Sequence, residues 1–580
     1  MASPCSVDAG FGMEAFRRKG GWRLISSADQ NRGGKGMRSH YLKAAIAFAS
    51  MLAAMACGVQ AAAAGDWAAP TAVVQPSAFK GIHGLSVLDR RRLLAGTVVG
   101  NAIWEVDRGT GAAKVYIPAP EGQADDIAVG PKGELAWTSY LQGVVRYRET
   151  EGAPIRVLAK DLTGINSLAF DMRTGQLYAS QVFLGDAMWE IDVAGAKAPR
   201  LIAKDLGGFN GFEVGPDGQL YGPLWFKGAV ARMDPATGAV TVINREFQVP
   251  AAVNLDGKGN LWVVDTRAGD ISRVDLATGR KHDVRKLATS LDNLAIAPEG
   301  TIYVSNMADN AVQAFDPATG AVTTLLSGKL AVPAGLKIEG DTAWVADVFA
   351  FRQVDLKTGA VRDIHRMQAS DIEYPFALGL GARQVLLASW FSGSVQVLDR
   401  ADFRTLTVLH GFSAPMDAQF LPDGRIAVAE IGTGTLTVAS GDGYKDRRAL
   451  ATGLSGPVQL AVGPDGAVYV TEAAGSLTRI DLATGAKTQV ADQLSLPEGL
   501  AFTPWGSVIV AEAGARRLTE IDLAKGSRKV IAGNLPIGLA AGPGLPPPYV
   551  ATGVAVRGDG SVCFTADLDN GLYCLKRLAD

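Results

Sequence analysis

A unit of roughly 42 residues recurs twelve times between residue 81 and the C-terminus, and no other feature of the chain constrains its fold so tightly. The segment from Pro464 to Gly485, PDGAVYVTEAAGSLTRIDLATG, is a clean copy, and close variants begin at Pro216, Gly257 and Pro298. Each copy reads as four short strands. An apolar run such as Leu460-Ala461-Val462 suits a buried inner strand, Val468 to Thr471 is a second, and the alternating stretch Leu477 to Ile480 is a third. The turn Asp481-Leu482-Ala483-Thr484-Gly485 then leads into a fourth. One four-stranded sheet cannot bury both of its faces, so its neighbours must stack on it. Radial stacking around a channel gives a β-propeller.

Twelve blades exceed the usual four to eight of one ring, so the expected fold is all-β, with two tandem six-bladed β-propellers of four-stranded antiparallel blades. The strand inventory places the boundary. The twelfth repeat ends after its third strand at Leu575 to Asp580, and Thr71 to Gln75 is a strand-like run ahead of the first complete blade. If each ring opens with the outer strand that closes its own last blade, the first takes residues 71–75 and the second takes Ala321 to Leu326. The domains are then 66–318 and 319–580. The alternative keeps Ala321 to Leu326 in the sixth repeat and leaves 71–75 as a loose tail.

The charge is nearly balanced, 56 basic against 58 acidic residues, and no basic stripe interleaved with aromatics is present, which argues against nucleic acid as a partner. From Met37 the sequence carries a basic segment, an apolar run of about 16 residues and a small-residue stretch QAAAA, the pattern of a secretory signal over 37–64. The run is short for a membrane span. A periplasmic or secreted protein beginning near Ala64 to Asp66 is expected, with residues 1–36 a non-native extension ahead of the initiator Met37. Export places the remaining cysteines, Cys563 and Cys574, in an oxidising compartment. They flank the turn between the last two strands and are expected to form a disulfide across the ladder.

Ligands of a propeller usually meet the channel mouth, where the inner strands begin. The residue pairs there differ between the halves. The first half offers His83-Gly84, Asp125-Asp126, Asn166-Ser167, Asn210-Gly211, Ala251-Ala252 and Asp292-Asn293. The second offers Ala334-Gly335, Phe376-Ala377, Met416-Asp417, Val458-Gln459, Glu498-Gly499 and Thr552-Gly553. Converging carboxylates and amides on one axis need a partner, and Ca²⁺, which takes six to eight oxygen ligands, is the expected one. The second mouth is structural or suits an apolar ligand.

The strings His83-Gly84-Leu85-Ser86, Asp126 to Pro131, Asn210-Gly211 and Leu291 to Leu294 resemble inner-strand motifs of paraoxonase-type lactonases and, more broadly, of the SMP-30/gluconolactonase group. The resemblance implies a divalent metal, Ca²⁺ above others, held by Asn210, Asp292 and Asn293, with Asp125 in place of an Asn ligand. Asn166 completes the expected metal set, His83 is the candidate base, and Asp126 is a candidate substrate contact. No Glu stands where that group places its first ligand, and blade five offers only alanines. The repeat framework, LWVVD, YVSN and YVTE, resembles NHL and YVTN propellers and streptogramin lyase over nearly all of 81–580.

Other polar residues have structural explanations. Asp265, Asp347, Glu430, Glu472, Glu512 and Asp567 end second strands, where a carboxylate accepts backbone N–H groups. Asp234, Asp275, Asp316, Asp355, Asp481 and Asp522 form turns. His282, His365 and His410 fall in outer strands. Trp225, Phe226, Trp390 and Phe391 follow second strands, where they either cap an apolar ligand or pack between blades. Two functions fit: a metal-dependent hydrolase of lactones or esters, with lyase chemistry a variant, or a non-catalytic propeller binding a small molecule or protein. A protein partner on the C-terminal ring is an open expectation.

Overall fold

Every blade is a consecutive four-strand meander except the last, and that exception sets the topology. The computed structural model describes residues 62–63 and 66–578. In it, blades 1 to 6 span 82–117, 127–159, 165–204, 213–244, 250–286 and 291–326. Blades 7 to 11 span 333–366, 377–410, 415–451, 457–491 and 497–533. Blade 12 takes three strands from 554–575 and its outer strand from Thr71–Val74. The repeat copy from Pro464 supplies the second and third strands of blade 10, Val468–Glu472 and Ser476–Ile480.

Inner-strand contacts close two rings of six. Ile82–Val87 of blade 1 packs on Leu291–Ile296 of blade 6, and Pro333–Glu339 of blade 7 packs on Val554–Val556 of blade 12. Apolar clusters fill the space between neighbouring blades. Tyr147, Leu158, Ile165 and Leu168, for instance, bind blade 2 to blade 3. Each such side chain contributes roughly 1.5–3 kcal/mol on burial.

The expected closing strands are corrected. Val322–Leu326 pairs with Ala311–Phe315 inside blade 6, so the boundary at residue 318 cuts through a blade. Thr71–Val74 is not a tail and does not close the first ring. It pairs with Leu572–Leu575, Thr71 opposite Cys574 and Val74 opposite Leu572. The spare strand and the missing one fill a single vacancy, because an unpaired outer edge on blade 12 would leave its N–H and C=O groups without partners. The N-terminal ring is therefore inserted in chain order between Thr71–Val74 and Pro333–Glu339, both strands of the C-terminal ring.

Two segments cross between the rings, 75–81 and 327–332, and buried asparagines clamp them. Asn310 accepts from the Gly81 N–H (2.8 Å) and donates to the Ala331 carbonyl (2.9 Å). Asn570 donates to the carbonyls of Phe79 (2.7 Å) and Ser77 (3.1 Å). An inter-ring core joins Val99, Met307 and Ala308 to Val332, Phe349 and Tyr549.

Cys563 and Cys574 lie opposite each other in the ladder and form a disulfide, their Cα atoms 4.1 Å apart. Residues 1–36 and nearly all of the expected export signal lie outside the described residues. Ala62–Ala63 adds a fifth strand to blade 11. Among the described residues no helix is long and apolar enough to cross a membrane.

Candidate functional site

The site begins with a glycine. Gly84 donates its N–H to the Asp125 carbonyl at 2.7 Å, and a Cβ on Gly84 would lie 2.5 Å from that oxygen. Its absence draws the inner strand of blade 1 onto blade 2 and sets His83 beside Asp125. At the other seam of blade 1, His83 Nδ1 lies 3.3 Å from Asp292 Oδ2 of blade 6. One ligand atom from each of His83, Asp125 and Asp292 lies within 4.8 Å of the others.

Asn166 and Asn210 join this group in lining one cavity with His83, Asp125 and Asp292. The Ser167 hydroxyl lies 2.8 Å from Asn166 Oδ1 and 3.0 Å from Asn210 Oδ1. It has one proton to give, so one of the two amide oxygens is left with free acceptor capacity.

Asn293 and Asp126 point elsewhere. Asn293 donates from Nδ2 to Asp126 Oδ1 (3.1 Å), and Asp126 also accepts from the N–H groups of Ile127 (2.9 Å) and Leu168 (3.2 Å). Asp126 thus ties blades 2, 3 and 6 together below the mouth, and neither residue lines the cavity. Asp417 does the same in the second ring, accepting from Ala418 and Leu460.

Burial raises Asp125 well above the ordinary carboxylate range; the His83 charge opposes this and the Asp292 charge adds to it. Burial also pushes Asp126 up to about 7. For His83, burial disfavours the imidazolium, but Asp292 and Asp125 outweigh it and the pKa rises. Among the described residues no lysine or arginine lines the cavity.

The roof of the cavity is the second ring. Loops after the second strands of blades 1–4 and 6 and of blades 7 and 8 reach the same space: Val99, Tyr140, Phe183, Trp225 and Met307 from the first ring, Val348, Phe349, Trp390 and Phe391 from the second. The propellers therefore present their mouths to one another. Phe226 does not line the space and is half-exposed, edge-on to Phe183 (5.7 Å). The phenols of Tyr140 and Tyr374 are both held up by burial, and the charge of Asp125 adds to this, which places both near the acidic cluster.

Tyr140, Phe349, Tyr374 and Tyr549 escaped the sequence reading. Tyr140 stands directly behind a second strand, as Trp225 and Trp390 do, and Phe349 one residue further, as Phe226 and Phe391 do, so comparing those two positions across all blades would have found them. Tyr549 lies in the 534–553 connection, unusually long for a blade-to-blade link.

The periodic carboxylates do what the sequence indicated. Asp265 accepts from Gln248 and Val249, Asp347 from Ala331, Glu472 from Ser455, and Asp567 from Gly538 and Leu539, all backbone N–H groups. Asp481 accepts from Ala483 and Thr484 in its turn.

No protein-family model matches the chain. A virginiamycin B lyase of Nocardia farcinica (strain IFM 10152) is 29% identical over 182 residues, a match covering 25% of this chain and 64% of that protein. The chain is a distant homologue of streptogramin B lyases. It spans less than two thirds of the length of that relative. A solved streptogramin B lyase structure aligns over 56% of this chain and 93% of its own at 15% identity, with a TM-score of 0.27.

Proposed function

We propose that the protein is an exported, metal-dependent hydrolase of lactones or esters, working at the mouth of the N-terminal propeller. The supporting observation is the convergence of His83, Asp125 and Asp292 within 4.8 Å in a cavity that no lysine or arginine lines among the described residues. Two carboxylates held this close, one buried and one partly buried, repel each other, and a hard divalent cation such as Ca²⁺ fits the donor set of two carboxylates and two amides.

Asp125, Asp292, Asn166 and Asn210 would hold the cation. When bound, it supplies positive charge that polarises a carbonyl group and offsets Asp125 and Asp292. His83 carries the proton transfer: Asp292 engages its Nδ1, which leaves Nε2 to take a proton from water and return it to the leaving oxygen. Tyr140 and Tyr374 hydroxyls are donors near the reacting carbonyl.

Metal analysis of the 66–580 protein with calcium supplied, alongside Asp292→Asn and His83→Gln, tests this. Asp292→Asn is expected to lose a near-stoichiometric cation and lactone turnover together, and His83→Gln to lose turnover while keeping the cation. Folded, calcium-supplied protein without a bound cation would sink the proposal. The second reading, a binding propeller, draws on Asn293, an expected ligand that is instead tied to Asp126.

A further inference from the structure

The cavity is a joint product of two rings whose mouths are chemically opposite. On the N-terminal side lie His83, Asp125, Asn166, Asn210 and Asp292. On the C-terminal side an unbroken run of rings meets them. Phe349 stands edge-on to His83 (centroids 5.6 Å apart), Tyr374 to Phe349 (6.2 Å), Phe391 to Tyr374 (5.1 Å) and Trp390 to Phe391 (5.9 Å). Trp390 is anchored by its indole N–H to the Tyr549 carbonyl at 2.6 Å. Beneath it Met416, Val458 and Ala551 form a small apolar cluster.

Inter-ring hydrogen bonds gather on one side. Ser290 donates to the Met367 carbonyl (2.7 Å), Arg366 reaches Asp309, Asn306 and the Thr289 carbonyl, and Asn101 donates to the Tyr549 hydroxyl (2.8 Å). These belong to blades 1, 5 and 6 against blades 7 and 8 and the 534–553 connection. Phe183 and Trp225 of blades 3 and 4 stand on the other side, at 5.1 Å from each other.

The cavity volume is about 80 Å³.

We infer that the C-terminal propeller is the specificity half of the site: Phe349, Tyr374, Trp390 and Phe391 receive the aromatic ring of a compact, neutral aromatic carbonyl compound whose oxygen faces His83, Asp125 and Asp292. This rests on the hydrolase reading for the identity of the reacting group, not for the ring preference. An aromatic ring meeting this wall gains edge and face contacts that an aliphatic one lacks. A neutral carbonyl avoids placing a further negative charge against Asp125 and Asp292.

The test uses two non-hydrolysable lactams that differ by one benzo ring, 3,4-dihydroquinolin-2-one and 2-piperidone, titrated calorimetrically into the calcium-loaded 66–580 protein. The bicyclic lactam is expected to bind at least about tenfold more tightly, as burial of one aromatic face predicts. Trp390→Leu combined with Phe391→Leu should bring the two affinities within about threefold with metal content unchanged. Phe391→Leu alone serves if the double variant fails to fold, and should shrink the ratio part of the way.

Equal affinities in the wild type, or an undiminished ratio in a folded variant, would overturn the inference. Lactam preference without turnover of dihydrocoumarin or δ-valerolactone removes only the hydrolase reading. Turnover of both lactones without a ring preference removes only this one.

Discussion

Trp67→Ala separates the observed topology from the one the repeat count first implies. Trp67 is 1% exposed and sits among Ile509, Leu518, Ile531, Phe564 and Leu575 of blades 11 and 12. It lies four residues before the closing strand, and its backbone bridges to Arg577. Truncating a fully buried tryptophan costs about 3–5 kcal/mol. At about 1.4 kcal/mol per decade, opening of the closing blade becomes roughly a hundredfold to a few thousandfold more frequent. Hydrogen exchange with mass-spectrometric readout resolves where that happens. Amides of Val554–Val556, Val562–Thr565 and Leu572–Leu575 are expected to accelerate by that factor, while those of Ile82–Val87 and Leu291–Ile296 keep their protection. Acceleration in 291–326 instead, or less than about tenfold in 554–575, would refute the reasoning that the N-terminal strand belongs to the C-terminal ring.

Three further outcomes follow from the same contacts. Glu213, on the inner strand of blade 4, accepts from Leu255 N–H (2.6 Å) and is pushed by burial from 4.5 up to about 7. Between those values the unfolded chain has released a proton that the folded chain keeps, so stability falls as pH rises through the window, by at most about 3 kcal/mol. Glu213→Gln should flatten that part of the urea-midpoint profile, and an unchanged slope would count against it. Gly84→Ala forces a methyl against the Asp125 carbonyl and should cost about 1–3 kcal/mol while weakening calcium binding; calorimetry with and without calcium reads both. Replacing Cys563 and Cys574 by alanine opens a short loop and should lower stability by about 2–3 kcal/mol, seen as earlier melting localised to blade 12 by the same exchange experiment.

Local chemistry made the blades legible. The alternation of Leu477 to Ile480, the Asp481-to-Gly485 turn and the carboxylates after second strands all act within one hairpin, and the disulfide joins residues only one turn apart. The closing strand was legible as a strand but not as a partner, since backbone ladder groups are the same everywhere and Thr71 to Cys574 spans nearly the whole chain. Of the candidate ligands, His83, Asp125, Asn166, Asn210 and Asp292 share one cavity because their inner strands start at one level. Asn293 and Asp126 stand one residue further along, where a strand turns its side chains to the other face, and there they cross-link the blades. The aromatic roof was invisible as a roof because it depends on how two rings meet.

The insertion explains why they meet this way. A single propeller mouth bearing His83, Asp125 and Asp292 would open onto bulk water, where charge interactions are weak and a carbonyl ligand competes with solvent. Here the chain leaves the second ring after Val74 and returns at Leu330 to Val332, and Asn310 and Asn570 pin both crossings. The first ring cannot turn its mouth outward without breaking those buried bonds. The facing mouth carries Phe376, Met416 and Val458 where the first has Asp125, Asn166 and Asn210, so its side of the cavity is largely apolar. Lowering the local dielectric around Asp125 and Asp292 strengthens whatever cation or dipole they hold. The polar mouth and the apolar mouth therefore line one cavity from opposite sides.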